Sequence, residues 1–280
     1  MYLTYLIPIF FSSKEKHLAV ITVIMGVYNC ETTLSEAIDS LLAQTFTDWR
    51  LVMCDDGSVD STASIAKEYA ESNSNITLIF NDKNLGLAAT LNHCLEYVNT
   101  PFTARMDGDD ICSPVRFEQQ LNFLKENPNY TVVSTAMHLF DENGVFGRVT
   151  PKFKPSKIDF IYGTPHCHAP MMMHTSILKE IGGYDSSLKR AQDYDLWSKL
   201  YQLGYHGANL EEPLYSMRDD QAAISRRGIK VRLLEIKLRY VIFKRLNIPI
   251  IYWIFIFKPL AQIFLPVSLV SKIRTYIYKV

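Results

Sequence analysis

No C-x-x-C pair occurs in the 280 residues, and the five cysteines, Cys30, Cys54, Cys94, Cys112 and Cys167, are odd in number. A closed disulfide framework is therefore excluded, and free thiols in a reducing cytosol are expected. His166, Cys167 and His168 are neighbours in the chain. Adjacent residues rarely ligate one ion, and no second pair stands at ligand spacing, so no zinc site is expected there. Long apolar runs are also scarce at the start. MYLTYLIPIFF is apolar for 11 residues, with no basic n-region and no small-residue cleavage site. Neither a secretory signal nor a membrane span is expected from it. It is left open whether it packs on the body or touches a membrane. Internal repeats and low-complexity stretches are missing too.

Net charge is absent overall but not locally. Residues 226–280 hold 12 Lys or Arg against one acid, Glu235, a net of +11; residues 1–225 carry 17 basic and 28 acidic residues, a net of −11. An acidic body with a basic tail suits an anionic surface as the tail's partner, and no nucleic-acid partner is expected. Nearly half the residues are hydrophobic. That is enough core for one large domain or two fused halves.

What is present alternates. HLAVITVIMGV (17–27), WRLVMCDD (49–56), ITLIF (76–80) and PFTARM (101–106) read as strands, the first a continuous β-branched run suited to a buried parallel sheet. Helical spacing follows each: 31–43; a segment capped by Asp60 and running to about Glu71; 87–97; and one opened by Ser113-Pro114. Four strand–helix alternations predict an α/β layered fold. The second half is mixed. Asn143-Gly144 marks a hairpin, and 191–203 is a helix stopped by Gly204 and flanked by short strands.

Open α/β sheets bind ligands beyond the carboxyl ends of their strands. Three stretches fall there: GVYN (26–29), with Val27 and Tyr28; DDGS (55–58), with Asp55 and Asp56; and MDGDD (106–110), with Asp107 and Asp109. Each alone is an ordinary turn composition. Together, an aromatic ring and carboxylates suit a base and a ribose. Asp107, Asp109 and Asp110 repel one another unless a cation neutralises them. Asp107 and Asp109 at D-x-D spacing are the expected ligands for a hard divalent ion, Mg²⁺ or Mn²⁺, with Gly108 allowing close backbone approach. A helix N-terminus collecting acids explains one aspartate but not three.

The run from Ile21 through Thr62, ARMDGDDICSP, and HAPMMMHTSILKEIGGYDSSLKRAQDYDLW together resemble family 2 glycosyltransferases of the GT-A fold, in order, from about residue 18 to 226. The resemblance implies a nucleotide-contacting Tyr28, a base- or ribose-contacting Asp56 with Asp55 as a second candidate, a metal and diphosphate site at Asp107 and Asp109, and Asp193 as catalytic base. It implies inverting transfer from a nucleoside-diphosphate sugar, with uridine diphosphate the favoured carrier, to a glycan or lipid-linked acceptor. Two departures stand out. Gln192 replaces a common glutamate beside Asp193, and SMRDDQ places Asp219 or Asp220 where a histidine is common. The second departure puts the third metal ligand in doubt.

Weaker candidates are Arg105, which would pair with the acids or with phosphate, and Asn84 and Gly86 in a loop near the crevice. His168 lies close to the acceptor segment, and Trp197 is expected in the core. The expected organisation is a nucleotide-sugar half (18–115), an acceptor half of the same domain (116–225) and a tail (226–280). In the tail, Ile229, Leu233, Ile236, Tyr240 and Phe243 recur at helical steps beside Lys230, Lys237 and Lys244. This predicts a basic amphipathic helix. The apolar stretch 248–270, broken by Lys258 and three prolines, fits an interfacial segment better than a span, at the cytoplasmic face of a membrane. Two other classes remain open. One is a catalytically silent nucleotide-sugar or membrane module, suggested by Gln192 and the missing histidine. The other is a phosphotransferase with an aspartyl nucleophile, which a trapped phosphoaspartate would reveal.

Overall fold

Strand β1 (Ile21–Val27) buries both of its faces. Residues 21, 23, 25 and 27 join one apolar cluster and Ile24 the other, which is why its sequence is a continuous apolar run rather than an alternating one. The computed structural model describes residues 19–219 and 229–261. After β1 come α1 (Leu34–Leu42), β2 (Trp49–Asp55), α2 (Thr62–Ser72), β3 (Ile76–Phe80), α3 (Leu87–Glu96) and β4 (Phe102–Arg105). Then follow β5 (Ile111–Cys112), α4 (Arg116–Glu126), the β6–β7 hairpin (Val132–Asp141, Gly144–Val149), β8 (Met172–His174), α5 (Thr175–Glu180), α6 (Gln192–Gln202) and β9 (Gly207–Arg218). Helix α7 (Ile229–Arg245), a 3₁₀ segment (Ile250–Phe257) and the short α8 (Lys258–Ala261) complete the described chain.

The strands form a nine-stranded sheet in the order β3-β2-β1-β4-β8-β6-β9-β5, with β7 on β6. The first four are parallel, and β8 enters antiparallel to β4. The chain reverses direction across the sheet at β1, between β2 and β4, so the loops after β1 and β4 open the crevice in which such sheets bind ligands. Helices α1, α2 and α4 cover one face. Helices α3, α5 and α6 cover the other, where Trp197 is fully buried and α7 adds Ile242 and Phe243.

Most predicted elements are present, with shifted ends. Helix α1 starts at Leu34 rather than at 31, because the Thr33 hydroxyl is held by the Cys30 and Gly108 carbonyls. Asp60 stands just before α2 and uses both carboxylate oxygens, one for the Thr62 amide and one for the Glu31 amide. The tail departs further. Leu233 and Tyr240 of the predicted stripe are about half exposed; Phe243 of the stripe is buried, and with it Arg239, Ile242 and Leu246, which lie outside the stripe. The packing face of α7 is therefore rotated from the sequence stripe, because a buried arginine sits in it. Arg239 donates to the Ile161 carbonyl at 2.5 Å and the Phe255 carbonyl at 3.1 Å.

Candidate active site

Helix α1 and the loop after β2 hold the first wall. The loops after β1 and β2 are stitched together: the Asn29 amide donates to Ser58 Oγ at 3.0 Å, and the Val59 amide to Asn29 Oδ1 at 3.0 Å. Asp55 Oδ1 accepts the Gly57 and Ser58 amides, closing the turn, while its buried Oδ2 has no protein partner. Asp56 takes three donors. It accepts Asn81 Nδ2 (2.8 Å) and the amides of Leu85 and Gly86 (2.9 Å each). Asp56 thus fastens the 81–86 loop, which contains Asn84 and Gly86, to the end of β2.

The acid cluster follows β4. Oxygens of Asp107, Asp109 and Asp110 lie within 4.8 Å of one another. Asp110, set aside by the D-x-D spacing, is buried, and its Oδ1 accepts the Arg218 amide at 2.7 Å. Burial first, then Asp107 and Asp109, push its carboxyl up to about 8, against the pull of the Arg218 amide and Tyr215. Asp109 lies closer to solvent, yet burial and then Asp107 raise its carboxyl as well. Crowded hard oxygens with a surplus of negative charge fit a divalent cation such as Mg²⁺ or Mn²⁺. Asp107 and Asp109 would hold it, while Asp110 accepts the Arg218 amide. Gly108 serves a different end from the one its chemistry suggests. A Cβ there would meet Val27 Cγ1 at 2.9 Å and Cys30 Sγ at 3.2 Å, so the glycine lets the acidic loop pack on the chain's own β1–α1 loop.

Two cavities meet at Asp107. A smaller one, of about 370 Å³, is lined by Val27, Tyr28, Asp107, Gly108, Asp109 and Arg218, among others, with Tyr28 46% exposed at its side. A larger one, of about 910 Å³, runs from Arg105 and Asp107 to His168, Gln192 and Asp193. Asp193 therefore shares a cavity with Asp107, whereas Asp109 faces the smaller one. Asp193 is placed by Ala191, which adopts a left-handed conformation (φ 56°) as it caps α6. Burial raises the Asp193 carboxyl, opposed by the Tyr194 amide and by Arg105. Arg105 is buried and ion-paired with Asp107. His168 Nε2 bonds the Tyr184 hydroxyl at 2.9 Å, and burial followed by Arg105 keeps the ring neutral. Lys152, Lys189 and Arg190 add cations to the same cavity's lining.

The Asp219 amide donates to the Phe140 carbonyl, and Asp219 lines neither cavity; Asp220 falls outside the described residues. Arg218 had no assigned role in the sequence. It reaches the Asp109 carbonyl and Glu36 and lies over the Phe140 ring. Its signal was the arginine of SMRDD, which becomes legible only when β9 is seen returning past the acid loop.

A parallel sheet with acids at the carboxyl ends of its strands has the architecture of the GT-A fold. The glycosyl transferase family 2 model matches residues 22–182, more than half of the chain. The chain belongs to that family and is a glycosyltransferase. It is 42% identical over 256 residues to the EpsE protein of Bacillus subtilis (strain 168), which carries a provisional glycosyltransferase name; the match covers 90% of this chain and 92% of that one. It is 31% identical over 268 residues to the Escherichia coli UDP-Gal:alpha-D-GlcNAc-diphosphoundecaprenol beta-1,3-galactosyltransferase, covering 92% and 94%. The fold resembles that of residues 1–349 of S. aureus TarS, solved with UDP-GlcNAc, at a TM-score of 0.66 and 21% identity, over 80% of this chain and 66% of that one.

Proposed function

We propose that this chain is an inverting transferase. It would move a sugar from a nucleoside diphosphate to a hydroxyl of a glycan or lipid-linked glycan acceptor. The observation that carries the reading is that Asp107 and Asp193 line one cavity, with the buried guanidinium of Arg105 in the same wall. The nucleotide lies in the smaller cavity beside Val27 and Tyr28, and its diphosphate reaches Asp107. The acceptor enters the larger cavity. Its hydroxyl oxygen attacks the anomeric carbon from the Asp193 side, and the carbon–oxygen bond to the diphosphate breaks on the opposite side. The hydroxyl proton passes to Asp193, and the bond's electrons leave on the diphosphate. A divalent ion, held by Asp107 and Asp109, would neutralise that growing charge. Because burial raises the Asp193 carboxyl from its ordinary value, it is a stronger base than a free aspartate, and transfer falls as the carboxyl is protonated at low pH.

Support comes also from the relatives. TarS was solved with UDP-GlcNAc and with UDP, and the mannosyltransferase PcManGT of Pyrobaculum calidifontis with GDP-Man and Mn²⁺. The E. coli relative's name specifies a diphosphoundecaprenol-linked acceptor. A lipid-linked acceptor would place this enzyme at the cytoplasmic face of a membrane. The test is a screen of nucleotide sugars for thermal stabilisation with Mn²⁺ or Mg²⁺, followed by NMR of the product's anomeric centre. Uridine-diphosphate sugars are expected to raise Tm, and an α-linked donor to give a β-linked product. Retained configuration would overturn the inverting assignment.

A further inference from the structure

The 3₁₀ segment Ile250–Phe257, IIYWIFIF, contains no charged residue, yet it lies at the surface. Residues three apart eclipse one another in a 3₁₀ helix. Ile251, Ile254 and Phe257 therefore stand in one column, and they are 76%, 70% and 52% exposed. Elsewhere on the segment Ile256 is buried and Phe255 meets Tyr162 edge to face, while Ile250 at its start is 76% exposed. The column borders an apolar groove of about 720 Å³ against α7, where Tyr240 and Trp253 meet edge to face with centroids 5.7 Å apart. Lys237 lines the same groove, and Lys244 is exposed on the same helix.

We propose that this face is a docking surface for a bilayer containing anionic lipids. Exposed aliphatic residues with a Tyr–Trp pair beside lysines have the composition of an interfacial segment, in which rings and aliphatics enter the headgroup boundary and lysines meet phosphates. Charge decides between occupants. The described part of this segment, residues 229–261, carries seven basic residues and one acid. A two-fold contact through this face would set that positive segment against its own copy, whereas an anionic surface complements it. The face is also fixed to the larger cavity. Arg239 joins Ile161 to Phe255, Lys258 Nζ donates to the Tyr162 carbonyl at 2.6 Å, and Tyr162 lines that cavity. Docking would therefore hold the cavity wall at the membrane, which rests on the lipid-linked acceptor reading only for its purpose.

The test is sedimentation of the full chain with phosphatidylcholine vesicles, with and without about 30% phosphatidylglycerol. We expect at least about tenfold more binding to the anionic vesicles, weakening with salt. The double variant Ile251→Glu/Ile254→Glu should lose about tenfold in binding, with Tm and nucleotide-sugar affinity unchanged. Lys237→Glu/Lys244→Glu should abolish the preference for anionic lipid. Wild-type protein that stays in solution with both vesicles would overturn the proposal. So would a glutamate variant that binds equally well, or a dimer in solution that the glutamate variant disperses. Nucleotide-sugar binding on the same samples separates this outcome from failure of the transferase reading.

Discussion

Asp55 and Asp56 are neighbours in sequence and carry opposite duties. Asp56 spends both oxygens on Asn81, Leu85 and Gly86, while Asp55 keeps one buried oxygen without a protein partner. Of the two, Asp55 has an oxygen that no protein donor reaches, and Asp56 also fastens the loop. Removing the Asp56 carboxylate leaves three donors to be resatisfied. We therefore expect Asp56→Ala to cost about 2–4 kcal/mol in urea denaturation, with the midpoint shifted and the slope unchanged. A shift within experimental error would mean that the loop does not depend on it. No spacing rule separates two adjacent aspartates; only the donors that face them do. The same holds for Asp110, whose neighbours Asp107 and Asp109 were legible as a D-x-D pair. Its burial against β9 depends on a strand more than a hundred residues away.

At the scale of elements, periodicity located the strands and helices of the first half because each buries a regular face. β1 and α1 differ from expectation by only a few residues. The three loops beyond the strands were legible as a set because the parallel order places them at one edge. Gly108 was legible as a close approach, but not what approaches it. Its Cβ position is taken up by Val27, a stiff β-branched side chain. Gly108→Ala should therefore displace the acidic loop and destabilise by about 1–3 kcal/mol, with weakened nucleotide-sugar binding in calorimetry. Unaltered affinity would show that the loop has room to give. The tail was legible as helical and basic, but its packing face was not. A sequence stripe marks apolar positions, whereas α7 also turns toward the core Arg239, which serves two carbonyls. No described helix is long and apolar enough to cross a membrane, and residues 262–270 of the apolar stretch lie outside the described residues.

For the whole molecule, the acid cluster makes stability depend on pH and metal. Asp110, held at about 8 in the fold, keeps a proton that an unfolded aspartate loses near pH 4. The native state thus binds more protons over that interval, and this group's contribution to stability falls as pH rises through it. His166, lowered to about 4, and His168 act in the opposite sense, but only below the ordinary histidine range. Between about pH 7 and 8 the carboxyl dominates. Tm without metal should drop across that window, and Mg²⁺ or Mn²⁺ should offset the drop by taking the place of the proton. A metal-free Tm that rises with pH there would refute the assignment.

Diphosphate and base are assigned to different ends of one cavity, so they should be separable by a single atom change. Asp193→Asn is nearly isosteric and lies away from the smaller cavity. Its nucleotide-sugar Kd and its rate of transfer, measured on one preparation, should part company: affinity kept, kcat reduced about a thousandfold. Transfer at the wild-type rate in that variant would contradict the account.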